Sequence, residues 1–229
     1  MRKLIDLELK RFSLKGHLAG LFTANIIILF LCLFISGFLN VLGSFELADL
    51  LEVELDTITI ALMLVRAVLI VWQAVFIAKI IVEEYHSKTM WLLCTYPYGR
   101  SKIIWTKLVL ICIAMISFHI LSNAFQHIMI YFLSLQVSFV TYHWDNLIVQ
   151  LATTISTVLL ALVPLAIGMA RKSVIATIVS AIVIVAFSSS SQGSTAGLLS
   201  IPVIAVILGA IGAVISIITI KKMITADLN

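Results

Sequence analysis

Residues 18–43, "LAGLFTANIIILFLCLFISGFLNVLG", form an apolar run without a charged residue, and they decide the fold class. A helix of roughly 20 apolar residues crosses a hydrocarbon core about 30 Å thick, so the run is long enough for one membrane span. It is continuously apolar, whereas the strands of a membrane barrel alternate between apolar and polar residues. The sequence therefore predicts a membrane-spanning helix here.

The rest of the chain repeats this pattern. Of 229 residues, 62% are hydrophobic and 11% are charged, with a mean hydropathy of +1.19, and a soluble domain could not cover so much apolar surface. We predict an all-α, polytopic membrane protein whose residues 1–229 form a single transmembrane domain. The predicted spans cover about 18–43, 58–82, 103–135, 147–170, 173–191 and 198–220. The third run would be about 50 Å long as one helix, so it either projects beyond the membrane or breaks near 134–138.

Lys and Arg set the orientation of these spans. They occur in the N-terminal segment, in the second and fourth connections and in the C-terminal tail, whereas the other three connections have none. Because basic loops stay in the cytoplasm, both termini are predicted to be cytoplasmic. We expect a multi-pass protein of the cell membrane, a bacterial plasma membrane, with lipids as partners. The net charge of +4 reflects this topology and does not indicate nucleic-acid binding.

Two connections have amphipathic character. In residues 1–16, Ile5, Leu9 and Phe12 recur at helical spacing, which predicts a cytoplasmic interfacial helix or an ordinary basic flank. The first outside loop, "SFELADLLEVELDT" at 44–57, is acidic. It either attracts a cationic peptide or is acidic only because such loops exclude Lys and Arg.

Arg66 is the most unusual residue inside a predicted span. It lies about 12 Å along the second span from Ile58. Insertion scales place an arginine at a helix centre at roughly +2.5 to +3.5 kcal/mol, so the side chain has to face protein or water or extend to the interface. It either contacts an anionic or carbonyl-bearing part of a substrate or pairs with polar groups on neighbouring spans.

The third span carries a polar face. His119, Asn123 and His127 recur at i, i+4 and i+8, with Gln126 close by. The two His residues are about 12 Å apart along the axis, too far for shared zinc coordination. We predict no metal site, and the face either lines a polar substrate pathway or makes hydrogen bonds between helices.

A stripe of small residues marks the last span. Ala205, Gly209, Gly212 and Ser216 share one helical face, and small residues let helix backbones approach closely. The sequence does not decide whether the stripe packs within one subunit or between two.

Catalytic motifs are absent from the sequence. It has no glycine-rich phosphate loop, no H-E-x-x-H motif and no nucleophile beside a base at a recognisable spacing. We therefore predict a non-catalytic subunit without a catalytic residue or a cofactor of its own.

The connection between the second and third spans, "EEYHSKTMWLLCTYPYGRSK" at 83–102, is polar, aromatic and basic. Residues 89–95 fit a short interfacial helix around Trp91, and Pro97 and Gly99 fit a tight turn after it. A cytoplasmic partner that pushed such an element would move both spans that it joins.

A motif in this connection resembles the coupling segment of type-2 ABC exporter permeases. The pattern E-x4-T-x2-L-L-x3-P-x2-R-x6-K is carried by Glu84, Thr89, Leu92, Leu93, Pro97, Arg100 and Lys107. The family commonly has Gly before the Thr, where this chain has Lys88. The predicted six-span topology with both ends in the cytoplasm is similar to that family over the whole chain.

The resemblance implies an ATP-driven exporter. In that family the coupling segment binds a separate ATPase subunit, present in two copies and holding ATP and Mg²⁺, and a second permease subunit completes a homodimer or related heterodimer. The substrate would be hydrophobic or amphipathic, a peptide or a lipid-like molecule. Small members of the family include exporters that protect cells from antimicrobial peptides such as bacitracin or lantibiotics.

Two other functions fit the sequence less specifically. One is a membrane scaffold or sensor subunit that binds an ATPase without transporting anything. The other is a passive channel, which is disfavoured because no charged or carbonyl-rich pore signature is present.

Overall fold

The structure, a computed structural model, describes residues 14–43, 56–86, 100–144, 146–189 and 197–225. Within these ranges the regular structure is entirely helical. The α-helices are α1 Leu14–Gly43, α2 Thr57–Ile77 with its continuation to His86, α3 Arg100–Ser134, α4 Leu147–Leu160, α5 Val163–Arg171, α6 Val174–Ser188 and α7 Pro202–Thr225. The predicted interfacial helix at 1–13, the acidic loop at 44–55 and the coupling segment at 87–99 lie outside the described residues.

Five helical runs are long and apolar enough to cross a membrane, as expected for a multi-pass membrane protein. They are Gly16–Val41, Thr57–Tyr85, Ser101–Ser134, Leu147–Arg171 and Pro202–Thr225. The fifth predicted span, 173–191, corresponds to α6, which has 15 residues and is about 22 Å long. It is shorter than a hydrocarbon core of about 30 Å, so the structure does not confirm a sixth full span.

The long third run is one continuous helix. Helix α3 has 35 residues, about 52 Å, and ends at Ser134. The chain then folds back along α3 and reaches the N-terminal end of α2, where the Thr141 amide donates to the Thr57 hydroxyl at 3.1 Å. The Thr57 amide donates in turn to the Thr141 hydroxyl at 3.0 Å. This reciprocal pair fixes the return segment against α2.

Pro164 interrupts the fourth span, as its interior position predicts. Helix α4 ends at Leu160, and α5 begins at Val163 with the proline in its first turn. A proline cannot donate a backbone hydrogen bond and clashes with the preceding turn, so the helix breaks at residues 161–162.

Helix α2 is at the centre of the bundle. Its buried residues contribute to three hydrophobic clusters, through Val65 and Ile77 in the largest, Ile58 in a second and Ile70 in a third. The largest cluster joins it to α1, α3, α5 and α7. A polar residue on α2 is therefore placed where several helices can reach it.

The outer surface of the described bundle is rich in exposed large apolar side chains. Phe34, Ile148, Ile175 and Phe187 are each more than 70% exposed. A soluble monomer rarely presents apolar patches on this scale, whereas lipid or a partner subunit covers them readily.

The small-residue stripe of α7 packs within the chain, against α4. Ala205, Gly209, Gly212 and Ser216 are all buried. A Cβ on Gly209 would lie 2.8 Å from the Ser156 Cα, and a Cβ on Gly212 would lie 2.7 Å from the Leu160 Cα. The stripe thus brings the backbones of α4 and α7 into direct contact, which answers the question that the sequence leaves open.

We predict that Gly212→Leu separates α4 from α7 and destabilises the chain. Overpacking a tight contact costs about 1–3 kcal/mol, and here the neighbour is backbone, which cannot turn away. The measurement is the thermal unfolding midpoint of purified protein in detergent. The matched control is Ala210→Leu, at an exposed position of the same helix. Equal midpoints for the two variants would contradict this packing.

Candidate functional site

A buried ion pair joins the end of α2 to the start of α3. The Lys107 ammonium donates a hydrogen bond to the Glu84 carboxylate. The two side chains are 1% and 11% exposed. Ile81 and Ile104, from the same two helices, lie in the large hydrophobic cluster nearby. Burial of one charge without the other costs several kcal/mol, so the pair holds the two helix ends together.

Helix α2 changes its winding just before this pair. Residues Ala78–Val82 form a π-helical turn, after which Glu83–His86 return to α-helical geometry. A π-turn contains one residue more than the α-helical repeat and rotates the following residues about the axis. The turn contacts α3, α5 and α6. The π-helical turn therefore sets the direction in which the Glu84 side chain points away from the helix axis.

The coupling motif is only partly described. Glu84 and Lys107, its first and last residues, pair with each other. Arg100 begins α3. The motif residues that lie outside the described part of the chain are Thr89, Leu92, Leu93 and Pro97. The described portion thus shows the two ends of the motif brought together across the connection.

We predict strong energetic coupling between Glu84 and Lys107. Glu84→Leu and Lys107→Met should each lower the free energy of unfolding by about 3–5 kcal/mol, because each removes one partner of a buried ion pair. The double variant should lose far less than the sum, since both charges are then gone.

The measurement is unfolding in sodium dodecyl sulfate followed by circular dichroism. Glu83→Leu is the matched control, because Glu83 is exposed on the same turn. Simply additive losses would show that the two groups do not stabilise each other.

Arg66 is half-buried and reaches the connection between α6 and α7. Its Nη1 donates to the Ser200 hydroxyl at 3.2 Å. Ser200 ends the 3₁₀ turn Leu198–Ser200, and Leu199 is buried in a cluster with Ile70 and Ala74 of α2. Ile70 lies about 20 Å along α2 from Thr57, so this turn lies deep beside the helix instead of at its end.

The turn before α7 is close to the end of α6. Gly197 has a backbone φ of 93°, which favours glycine, and a Cβ there would lie 2.7 Å from the Ser188 carbonyl oxygen. Because α6 is short and Gly197 contacts its end, the end of the connection lies at the depth of Arg66. The sequence "SSSSQGSTAG" at 188–197 makes that connection polar.

The polar face of α3 divides between two environments. Gln126 is buried and donates to the Asn25 carbonyl oxygens of the backbone at 3.0 Å and of the side chain at 3.2 Å. Asn25 in turn donates to the Ser122 hydroxyl at 2.9 Å. His119 is buried too, and neither of its ring nitrogens has a hydrogen-bond partner among the described residues. These side chains face the interior between α1, α2 and α3.

Asn123 and His127 instead line a pocket between α3 and α4. Asn123 donates to the Thr154 hydroxyl at 3.4 Å. The Gln150 amide donates to His127 Nε2 at 2.6 Å, and the other ring nitrogen lies 3.4 Å from the Tyr142 hydroxyl. A neutral imidazole has one N–H, so accepting at Nε2 leaves Nδ1–H to donate to Tyr142. The five predicted pathway residues thus do not form one continuous lining.

Sequence reasoning missed several polar residues of the interior. Gln73 is fully buried and donates to the Val158 carbonyl at 2.9 Å. Asn25 and Gln150 complete the two networks on α3. Each is a lone amide in an apolar run, which is the available signal, but one helix alone does not show which amides meet. Tyr142 and Trp144 lie in a connection whose sequence shows no helical periodicity, so no pattern singled them out.

The described residues offer little for a metal or cofactor. In the ranges that the structure covers, no three His, Cys, Asp or Glu side chains lie close enough together to hold a metal ion. The polar groups described above are suited to hydrogen bonding. Their arrangement can bind and orient a ligand and can transmit movement between helices.

The comparison with known proteins identifies a relative of similar length. The uncharacterized protein YcbO of Bacillus subtilis (strain 168) is 30% identical over 198 residues, which cover 82% of this chain and 84% of the relative. No protein-family model matches the chain, and no solved structure matches it significantly.

Proposed function

The chain belongs to the family of the Bacillus subtilis protein YcbO, and we propose that it is the membrane-spanning permease subunit of an ATP-driven ABC exporter. It forms the pathway for a hydrophobic or amphipathic substrate, a peptide or a lipid-like molecule. A separate ATPase subunit, present in two copies, binds ATP and Mg²⁺. A second permease, the same or related, completes the complex in the cell membrane.

The observation that carries the proposal is the buried pair of Glu84 and Lys107. The two residues are the ends of the motif that resembles the coupling segment of exporter permeases. Their ion pair ties together the helices on either side of residues 87–99. A segment held at both ends by rigid helices can transmit a displacement, whereas a loose loop would absorb it. The pair thus supports a mechanical role for this connection.

In this proposal residues 87–99 contain the cytoplasmic coupling helix. Thr89, Leu92 and Leu93 contact the ATPase, and Pro97 and Arg100 set the turn into α3. Glu84 and Lys107 belong to the same coupling site and position the segment through their ion pair. Helix α6 serves as the sixth span in this proposal.

Arg66 and the polar residues of α3 form the proposed substrate pathway. Arg66 hydrogen-bonds Ser200 in the turn that ends a serine-rich connection, and this turn lies deep along α2, which supports access from the outer side. His119 and Gln126 keep unpaired polar atoms in the interior of the described bundle. Burying such atoms without partners is unfavourable, so a substrate group that paired with them would be stabilised there.

A non-transporting scaffold or sensor is the second candidate. The ion pair of Glu84 and Lys107 would support ATPase binding in this case too. The division of the α3 polar face between two environments favours a scaffold or sensor over a transporter with one continuous pathway. Transport and scaffolding differ in whether substrate changes the ATPase rate.

We predict that Leu92→Asp combined with Leu93→Asp releases the ATPase while leaving the membrane bundle intact. Charged side chains at an apolar contact remove the packing and add a desolvation penalty. The measurement is co-purification of the tagged chain with a P-loop ATPase from the cells that express it. Lys221→Asp with Lys222→Asp is the control, placed at another end predicted to be cytoplasmic. Undiminished co-purification of the Leu92/Leu93 variant would contradict the coupling role.

We predict that Arg66→Gln abolishes stimulation of ATP hydrolysis by substrate and preserves the basal rate. The matched control is Ser200→Ala, which removes the hydroxyl that accepts from Arg66 and keeps the charge. The assay uses the reconstituted complex and screens cationic peptides and lipids as stimulants. If both variants instead lower the thermal midpoint equally and leave stimulation unchanged, Arg66 is a structural partner of the turn.

A further inference from the structure

A slot lies between α3 and α4, open to the outer surface of the bundle. Its volume is about 520 Å³. Along α3 it extends from Ile120 to Tyr131, a length of about 16 Å. Ile120, Ile128, Leu147 and Leu151 line it and are all exposed. A narrow apolar slot of this length, open along its side, suits a single extended hydrocarbon chain.

An aromatic cage stands at one end of the slot. The rings of Tyr131 and Tyr142 are 5.6 Å apart at 70°, and those of Tyr142 and Trp144 are 6.4 Å apart at 60°. The His127 ring lies 5.5 Å from that of Trp144 at 47°. None of these pairs is a parallel stack. Tyr131 and Trp144 are about half-exposed.

The electrostatics of this end favour a positive ligand. Aromatic faces carry negative potential, and cages of several rings are the usual recognition device for quaternary ammonium groups. The sequence has no Lys or Arg between Lys107 and Arg171, so no basic side chain of α3 or α4 competes at the cage.

His127 holds the cage in place. It lies between Gln150 on α4 and Tyr142 on the return segment, with hydrogen bonds of 2.6 and 3.4 Å. It thereby connects two elements that the chain joins only through residues 143–146. The cage is fixed before a ligand arrives, which lowers the entropy cost of binding.

We propose that the slot between α3 and α4 binds a cationic amphiphile. The hydrocarbon chain lies along the apolar walls, and the ammonium head rests against Tyr131, Tyr142 and Trp144. The binding does not depend on export. If the chain is the permease proposed above, the slot identifies cationic amphiphiles as its substrate class.

The test uses the chain alone in nanodiscs of phosphatidylethanolamine and phosphatidylglycerol, which carry no quaternary ammonium. No ATPase or ATP is present, so the result is independent of the transport proposal. Replacing Trp72, Trp91 and Trp105 by Phe leaves Trp144 as the reporter of fluorescence. Dodecyltrimethylammonium is titrated below its micelle concentration against dodecyl sulfate and dodecyl maltoside, at pH 8, where free histidine is neutral.

We expect a saturable change in Trp144 fluorescence with the cationic amphiphile alone. In Tyr142→Leu the affinity should fall roughly tenfold, the size of a lost cation–π contact of over 1 kcal/mol. Tyr142→Phe keeps the ring and should bind almost as well. Phe187→Leu removes an exposed aromatic ring elsewhere and should bind unchanged.

Equal responses to all three amphiphiles, a signal that never saturates, or the same loss in Phe187→Leu would overturn the proposal. If the triple Trp variant does not fold, the thermal midpoint of the unmodified chain replaces fluorescence, since a ligand that binds the folded state raises it. A rise with dodecyltrimethylammonium that disappears in Tyr142→Leu supports the slot, and no rise contradicts it.

Discussion

The buried Glu84–Lys107 ion pair is the constraint on which the junction of α2 and α3 in the described bundle depends. A lysine that is 1% exposed needs a compensating charge, and the Glu84 carboxylate supplies one. Each residue lies on a different helix, so the pair fixes the distance between the end of α2 and the start of α3. Since α2 contributes to all three hydrophobic clusters described above, a movement of its end would be transmitted to the other helices of the bundle.

The other polar groups in the bundle have more limited effects. Asn25 hydrogen-bonds both Ser122 and Gln126 between α1 and α3, and Gln73 ties α2 to the α4 backbone. Hydrogen bonds of this kind between membrane helices contribute about 1 kcal/mol or less each. They specify which helices meet, while close backbone packing, as at Gly212 of α7, supplies the tight contact. His119 differs because its nitrogens have no hydrogen-bond partner in the described ranges.

Sequence alone predicted the helical membrane fold because apolar length and the placement of Lys and Arg are properties of single segments. The interruption at Pro164 was predictable for the same reason. Contacts between segments were not. The i, i+4, i+8 spacing placed His119, Asn123 and His127 on one face, but only neighbouring helices decide that His119 is enclosed and His127 borders a slot. The short α6 was overestimated because serines that follow it extended the apparent span.

The motif between α2 and α3 is another case in which the sequence pattern did not show a contact between segments. Its spacing suggested a coupling role for its members, and the structure adds that its first residue pairs with its last. A glutamate and a lysine 23 residues apart in the sequence meet across the connection.

The central claim is that this connection engages an ATPase, and crosslinking in cells tests it most directly. A photoreactive amino acid at position 93 is irradiated in living cells, and the products are identified by mass spectrometry. The account predicts an adduct with a P-loop ATPase that is missing when the photoreactive group is placed at position 187 on α6. Adducts with lipid alone, or with proteins that lack a nucleotide-binding motif, would contradict it.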